Sequence, residues 1–371
     1  MNRHSHQNPI TAIWVLLLCL AMATLVVHAA DAPPADVPPV AAPPTAQAKT
    51  DLNVLFIGNS MTWFCNMPRT VAELAEQMDP PVHLHVAMAV GACNTLANPH
   101  VKDGSGARRA IAGDITGYLK EKAAEITWLQ KTLVAEPDNA QNKADLARLQ
   151  ADAKALAGKP KWDVVVLQPW GKEDIKDAAA FAANVKILQN DIAKSSPDAR
   201  VIMYMDPTFR IDSTKADPSA AVKMVRNGVL PAYKQLVVSN KVEVAPAALA
   251  GALISEVKPD HWLKITKLPN DAHHGLRGAY MVASTIFATI FDRSPEGLSV
   301  HRMEAHYVIN GAVKPKDGGH KIIVEGKTHM EYFDDGPIQM LPDEDMKLIQ
   351  GKAWAAVQEW KLYSKVEPAK P

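Results

Sequence analysis

The chain has 371 residues, of which 47% are hydrophobic and 22% are charged, so it can bury a substantial core. Lysine plus arginine equals aspartate plus glutamate, at 40 each. This balance creates no overall field for a polyanion, and no basic run is interleaved with aromatic residues. We therefore expect neither nucleic acid nor an anionic membrane surface as a partner.

The first 50 residues carry two segments that we expect to lie outside the folded domain. Residues 1–29 contain an apolar run from Ile13 to Val27 and end at Val27-His28-Ala29, a small-residue cleavage pattern. They predict a signal peptide, a secreted or periplasmic protein and no stable membrane insertion after cleavage. An uncleaved anchor is the alternative, although the run is short for a membrane span. Residues 30–50 are rich in Pro and Ala and predict an extended linker.

The stretch Leu52–Thr62, LNVLFIGNSMT, organises the rest of the chain. Its apolar, partly β-branched run Val54–Ile57 predicts a buried strand that ends at Gly58, and a helical pattern follows from Pro68 to Met78. Ser60 then lies on a tight turn at the open edge of a sheet, where ligands bind in α/β folds. Two interpretations stand: a nucleophile, or a plain turn, since Gly, Asn and Ser are common in turns.

The rest of the chain alternates strand and helix patterns. Strands are predicted at Val82–Val90, Trp162–Gln168, Arg200–Met205 and Lys241–Ala245, with helices at residues 178–194, 219–238, 276–291 and 343–360. Strands that alternate with helices favour right-handed crossovers between parallel neighbours. We therefore predict an α/β fold, a three-layer α/β/α sandwich around a central five-stranded parallel sheet, with its main domain at residues 51–296.

Three further segments are assigned by composition. Residues from about 108 to 158 favour helix and are interrupted by Pro137-Asp138-Asn139, which predicts a helical hairpin, either a lid or a plain insertion. Residues 297–340 carry Val, Ile and Tyr runs with Asn-Gly and Gly-Gly turns, which predict a small β excursion. Residues 341–363 contain an amphipathic helix that we expect to dock back on the sheet.

Residues that could take part in catalysis follow the predicted strands at one edge of the sheet. Ser60 follows the first strand, Gly91 the second and Gln168 the third, and the loop 269–275, PNDAHHG, comes after the fifth. Because the carboxyl ends of parallel strands meet at one edge, these residues are expected to converge. Nucleophilic catalysis needs this combination: a hydroxyl, an imidazole to take its proton, a carboxylate to orient the imidazole, and donors for an oxyanion.

These blocks resemble those of the SGNH (GDSL-type) hydrolase superfamily, especially its secreted bacterial esterase-like branch, over roughly residues 52–296. FIGNSMT is similar to the first block and places the nucleophile on Ser60, while VGACNTL places the second-block glycine on Gly91. LQPWG departs from the usual Gly-x-Asn-Asp, so Gln168 replaces the asparagine. The resemblance implies a flavodoxin-like fold and an oxyanion hole formed by the Ser60 and Gly91 N–H groups with the Gln168 amide.

The last block, DAHHGLRGAYMVAS, leaves open which of two adjacent histidines is the general base. The Asp-x-x-His spacing that defines this block selects His274 with Asp271. Counting back from Gly278 and Tyr280 by the family's usual interval selects His273 instead. We retain both histidines and favour His274 because the spacing defines the block. In either register Asp271 orients the imidazole.

The resemblance implies a secreted serine esterase that deacylates a carbohydrate or another small ester without a cofactor. No further Cys, His and Asp cluster has zinc-like spacing, so no metal is expected. The departures from the family blocks keep a second interpretation open, a non-catalytic carbohydrate-binding or degenerate protein of the same fold. A lipid-directed esterase is a third, and it would favour longer acyl chains.

Two sets of residues are expected beside the site if the fold is as predicted. Cys65 and Cys93 follow the nucleophile and the second-block glycine, and we predict a disulfide between them, with two buried, unlinked cysteines as the alternative. Aromatic and amide side chains in the neighbouring loops are candidates for contacts with a sugar: Trp63, Trp170 and Asn94.

Overall fold

A five-stranded parallel sheet forms the centre of the fold. The computed structural model describes residues 50–91, 96, 106–169, 176–207, 218–259, 266–268, 271–274, 276–298, 302–304, 321–324, 327–330 and 338–365. The strands are β1 (Asp51–Gly58), β2 (His83–Val90), β3 (Val164–Leu167), β4 (Arg200–Tyr204) and β5 (Glu243–Ala245). They lie in the order β2-β1-β3-β4-β5, and every neighbouring pair is parallel. The predicted sheet is confirmed.

Helices cover both faces of the sheet, which confirms the three-layer sandwich. They are α1 (Ser60–Trp63), α2 (Met67–Glu76), α3 (Gly106–Ile111), α4 (Thr116–Ala135), α5 (Ala140–Ala155), α6 (Ala178–Ser195), α7 (Pro218–Met224), α8 (Leu230–Asn240), α9 (Ala247–Val257), α10 (Leu276–Phe291) and α11 (Asp343–Lys365). On one side α2 packs against α10, and on the other α6 packs against α3 and α8. None of the helices in the described ranges is both long and apolar enough to cross a lipid bilayer.

Strand β1 lies at the point where the strand order changes direction. It pairs with β2 on one side and with β3 on the other. Its residues Val54–Ile57 are completely buried, since helices cover both faces, and this explains their unbroken apolar run. In an open α/β sheet, the crevice at such a switch point is where ligands bind. The residues that follow β1 and β3 are therefore placed beside that crevice.

The helical hairpin α4–α5 is docked along the edge strand β2. Asn139 caps α5 by accepting a hydrogen bond from the Asn142 N–H at 3.0 Å. From α4, the Tyr118 hydroxyl donates to the Val86 carbonyl of β2 at 2.8 Å, and from α5, Asp152 lies 3.0 Å from the His85 ring. A covered edge strand is protected from pairing with another chain. These contacts favour the plain insertion over the lid.

Short antiparallel pairs flank the sheet domain. Strands β6 (Thr266–Leu268) and β7 (Asp271–His274) pair with each other ahead of α10. The region predicted as a β excursion contains two such pairs, built from β8 (Arg302–Glu304), β9 (Lys321–Val324), β10 (Lys327–Met330) and β11 (Ile338–Met340). The predicted signal peptide and all but the last residue of the predicted linker lie outside the described residues, so both stay predictions.

The C-terminal helix α11 buries the apolar stripe that its sequence predicts. Five residues of this stripe are at most 5% exposed: Met346, Ile349, Ala353, Val357 and Trp360. The sequence places this helix on the sheet, whereas the structure packs it on α9 and α10. The Gln350 amide donates to the Tyr280 hydroxyl of α10 at 2.8 Å, and Asp345 pairs with Arg277 at the start of α10. The helix thus holds the segment that follows β7.

The imidazole of His85 is a titratable link between the sheet edge and the hairpin. Its Nδ1 lies 3.0 Å from Asp152 Oδ1, and its Nε2 lies 3.4 Å from Asp51 Oδ1. The hydrogen bond to Asp152 raises the pKa of His85 above its ordinary 6.5; burial opposes this shift, while the Asp152 charge and the Asp51 contact add to it. Folding therefore favours the protonated ring.

We expect the protein to lose stability as the pH rises, because the His85 imidazole loses its proton. Its contribution is fully present below about pH 6.5 and is lost as the pH rises through the raised pKa of the folded protein. The free energy of unfolding of the wild type should thus fall relative to that of His85→Gln between about pH 6 and about pH 9. Urea unfolding of both proteins over this range measures the difference, and parallel curves would contradict the expectation.

Candidate active site

The turn after β1 is built by Asn59, which caps a short helix. The Asn59 side-chain oxygen accepts a hydrogen bond from the Met61 N–H at 3.0 Å, and its carbonyl accepts from the Thr62 N–H at 2.9 Å. Asparagine is a favoured N-cap because its short side chain reaches the first free N–H groups. As a result α1 begins at Ser60 itself, and this serine is only partly buried, between two fully buried neighbours. The sequence places the first helix further on, near Pro68.

Two left-handed residues end α1 and start α2. Cys65 and Asn66 have φ values of 52° and 47°, which are uncommon for residues other than glycine. Asparagine tolerates this region better than most residues, and Pro68 then lies in the first turn of α2. Cys65 is 5% exposed. Its predicted partner Cys93 lies outside the described residues, so the disulfide stays a prediction.

The backbone of strand β7, whose sequence contains the predicted base and carboxylate, lies near the turn that carries Ser60. Cα atoms of α1 and of β7 lie within 8 Å of each other, and β7 also contacts the turn at residues 64–66. The sequence places Asp271 and the two histidines in a loop. The structure instead pairs them with β6, with His274 opposite Thr266 and an irregularity in the register. The backbone of the last block therefore lies beside the first block, some two hundred residues away in sequence.

The side chain of Gln168 is completely buried beneath the Ser60 turn. Its Oε1 accepts hydrogen bonds from the Asn59 N–H and from the Thr62 hydroxyl, both at 3.0 Å. Its Nε2 donates to the Pro169 carbonyl and, at 3.3 Å, to Asp206 Oδ2. Because one end meets a backbone donor and the other end meets two acceptors, the orientation of the amide is fixed. An oxyanion role for Gln168 would require this amide to leave its internal acceptors.

Asp206 is a site residue that the sequence interpretation missed. It follows β4 at the same edge of the sheet and is only 1% exposed. Burial, and then the nearby Asp206 charge, raise the pKa of Tyr204 well above its ordinary 10.0. The signal was available in the sequence, since Asp206 follows an apolar strand just as Gln168 does. A carboxyl group thus belongs to the buried layer under the crevice.

The Gly91 N–H also has a partner within the protein. It donates to the Gly58 carbonyl at 3.3 Å and so continues the parallel pairing of β1 with β2. Such a bond is long, and an N–H that bonds at this distance is held weakly. Gly91 lies at the same strand edge as Ser60, as the sequence predicts. Its role as an oxyanion donor stays a prediction.

The remaining predicted site residues are only partly described. Trp63 is half-buried at the end of α1, one turn from Ser60. Asn94 and Trp170 lie outside the described residues, so their contacts with a substrate stay predictions. In the described part of the chain, no group of three or more His, Cys, Asp or Glu side chains could hold a metal ion.

Comparison with solved structures finds similar proteins at low identity. A candidate SGNH hydrolase from Slackia heliotrinireducens is 18% identical, covers 65% of this chain and 99% of its own, and has a TM-score of 0.40. A DUF4886 family protein from Bacteroides uniformis is 14% identical over 83% of this chain and 95% of its own, with a TM-score of 0.43. A candidate GDSL-like lipase from Parabacteroides merdae is 12% identical over 65% and 95%, with a TM-score of 0.38.

Two of these three proteins bear the name of the hydrolase superfamily that the sequence motifs resemble. No protein-family model matches the sequence, and a search of curated proteins gives no match. At identities of 12% to 18% and TM-scores of 0.38 to 0.43, these likenesses carry no argument about this chain. What this chain does has to be argued from its own residues.

Gly58 leaves the space in which the Gln168–Thr62 hydrogen bond forms. A Cβ at position 58 would lie 2.5 Å from Gln168 Oε1 and closer still to Thr62 Oγ1. Such contacts require both side chains to move, and overpacking of this kind costs about 1–3 kcal/mol. We expect Gly58→Ala to lower the free energy of unfolding by that amount, as measured by urea denaturation.

Gly117→Ala is the matched control for this prediction. Gly117 lies near the start of α4, and among the described residues outside its own helix turn no atom lies within 4 Å of a Cβ at this position. Alanine is also favoured over glycine in a helix, so this variant should equal the wild type or gain up to about 1 kcal/mol. Equal stabilities of Gly58→Ala and Gly117→Ala would show that the space beside Gly58 is not required.

Proposed function

We propose that this protein is a secreted serine esterase that hydrolyses a carboxylic ester, with an O-acyl group on a carbohydrate as the substrate class. The observation that carries the proposal is the approach of α1, which begins at Ser60, to β7, which contains Asp271, His273 and His274. A hydroxyl, an imidazole and a carboxylate are the three groups that acyl transfer through a serine requires. The approach of these two backbone segments near the switch point of the sheet supports the proposal.

The proposed chemistry has two halves. Ser60 Oγ attacks the ester carbonyl while His274 or His273 takes the hydroxyl proton, and the same imidazole then returns that proton to the departing alcohol. Water next attacks the acyl-serine and loses a proton to the imidazole. The imidazole returns this proton to Ser60 Oγ as the acyl–oxygen bond breaks, and the acid is released. Asp271 holds the imidazole in the tautomer that can accept a proton.

The oxyanion that forms during each attack needs N–H donors. The Ser60 N–H lies at the start of α1, and the Gly91 N–H lies at the end of the neighbouring strand. Releasing Gly91 from its 3.3 Å bond to the Gly58 carbonyl costs little, because bonds of this length are weak. We therefore assign the oxyanion to these two backbone groups.

A carbohydrate is favoured as the alcohol part by the residue types around the crevice. Trp63 follows Ser60 by three residues on α1 and is partly exposed, so it offers an aromatic face near the nucleophile. Trp170 and Asn94 follow β3 and β2 in sequence and complete the proposed binding surface. The N-terminal segment 1–29 supports export from the cell.

One observation favours a second candidate, a carbohydrate-binding protein with a degenerate site. The Gly91 N–H and the Gln168 amide, two of the three groups predicted as oxyanion donors, both bond to acceptors within the protein. A site that has lost catalysis would have no need to release them. The two candidates differ in a single property, the reactivity of Ser60.

Ser60→Ala should abolish both ester hydrolysis and covalent labelling. Removal of a serine nucleophile lowers turnover by roughly 10⁴-fold or more. Hydrolysis of p-nitrophenyl acetate and labelling by a fluorophosphonate probe measure the two properties. Ser195→Ala is the control. Ser195 is the last residue of α6, at the edge of the sheet opposite to Ser60, and its Oγ donates to the Ile111 carbonyl. A wild type that is neither labelled nor active would favour the binding protein.

Single substitutions of the two histidines identify the base. We expect His274→Ala to lower turnover by roughly 10⁴-fold, because the hydroxyl then has no proton acceptor, and His273→Ala to have a much smaller effect. Comparison of kcat for the two variants on p-nitrophenyl acetate decides between the registers. The reverse order would assign the base to His273, and full activity in both variants would contradict a histidine base from β7.

A further inference from the structure

We propose that Gln168 and Asp206 form a buried positioning pair that fixes the direction of Ser60, so that Gln168 acts through the Ser60 turn and not as an oxyanion donor. This inference rests on the proposed esterase function and deepens it. It assigns a role to Asp206 that neither the sequence motifs nor the family resemblance supply.

The contacts of Gln168 link three strand ends. Its backbone N–H donates to the Ile57 carbonyl at 2.8 Å, which joins the end of β3 to β1. Its side-chain oxygen holds the Asn59 N–H and the Thr62 hydroxyl, on either side of Ser60. Its side-chain nitrogen reaches Asp206 after β4. The amide thus fastens the residues that flank Ser60 to the ends of β3 and β4.

The burial of these groups makes the contacts costly to break. Asn59 and Gln168 are 0% exposed, and Thr62 and Asp206 are 1% exposed, so water cannot replace a lost partner. A buried polar group without a partner is strongly disfavoured. The carboxyl group of Asp206 and the Pro169 carbonyl together orient the amide, because both accept from its nitrogen end and so direct its oxygen end toward the Ser60 turn.

A nucleophile that is displaced by about 1 Å loses roughly 10²-fold in rate. The role of Gln168 therefore predicts that substrate binding survives its loss while turnover does not. Removal of an oxyanion donor would lower turnover by a similar factor. A simple truncation of Gln168 cannot separate the two roles, so the test has to keep the acceptor end of the side chain and remove only its donor end.

Gln168→Glu makes that change at nearly constant shape. Its acceptor end can still bind the Asn59 N–H and the Thr62 hydroxyl. Its other oxygen faces the Asp206 carboxyl at about the 3.3 Å that now separates the amide nitrogen from Asp206 Oδ2. Two carboxyl groups this close share a proton and cannot both ionise freely. We expect kcat, taken relative to the wild type at the same pH, to fall roughly 10²-fold at alkaline pH and to recover as the pH is lowered.

The double variant Gln168→Glu/Asp206→Asn is the decisive measurement. The amide introduced at position 206 donates to the new carboxylate, and the net charge of the pair equals that of the wild type. No side-chain donor for an oxyanion remains at position 168. The Pro169 carbonyl loses its donor in both variants, so their comparison isolates position 206. If the pair positions Ser60, kcat on p-nitrophenyl acetate should rise roughly 10-fold or more above that of Gln168→Glu at alkaline pH and lose the acid recovery. If Gln168 is an oxyanion donor, the double variant should stay roughly 10²-fold slow.

Two controls separate the possible failures. Gln189→Glu changes a glutamine of α6 whose amide donates to the Asn240 carbonyl at 2.7 Å. Asn240 comes shortly before β5, away from the Ser60 turn. This variant should keep kcat within about 2-fold of the wild type. Thermal unfolding of each variant shows that it is folded. A wild type without Ser60-dependent hydrolysis would overturn the proposed function. An active wild type whose Gln168→Glu variant keeps full kcat at every pH would overturn the positioning pair alone.

Discussion

The whole structure depends on the position of β1 between two parallel neighbours. Because Val54–Ile57 are buried on both faces and paired on both sides, the residue that follows the strand has little freedom. Gly58 closes the strand with no side chain, which lets Gln168 and Thr62 approach its Cα. The Ser60 turn is therefore held by the packing of β1 in the core and by hydrogen bonds from Gln168 at the end of β3. Rigid elements of this kind hold a reactive group more precisely than a free loop does.

The candidate site combines a fixed half with a half carried by a separate hairpin. Ser60 belongs to the first strand-helix unit, whereas Asp271 and the two histidines belong to β7. The start of α10, which follows β7, is held by the C-terminal helix through Arg277 and Asp345. A long-range contact thus supports the second half from outside the sheet. A helix far from the motifs is thereby packed against the helix that follows β7.

The sheet could be predicted from the sequence because each strand carries its own signal. Unbroken apolar runs such as VVVL identify a strand buried on both faces, and the strand-helix alternation dictates parallel neighbours. The role of Gln168 could not be predicted, because its orientation is set by Asn59, Thr62 and Asp206 from three different segments. The strand at residues 271–274 was also hidden, since Asp and His are not strand-forming residues and only pairing with β6 imposes this conformation.

Ser60 and the imidazole of β7 are neighbours in this account, and the separation of their reacting atoms tests it most directly. A crystal structure of the protein would give the distance from Ser60 Oγ to the nearest ring nitrogen of His273 or His274. We predict about 3 Å, or slightly more without a ligand. A separation beyond roughly 6 Å, too long even for one bridging water, would contradict the account.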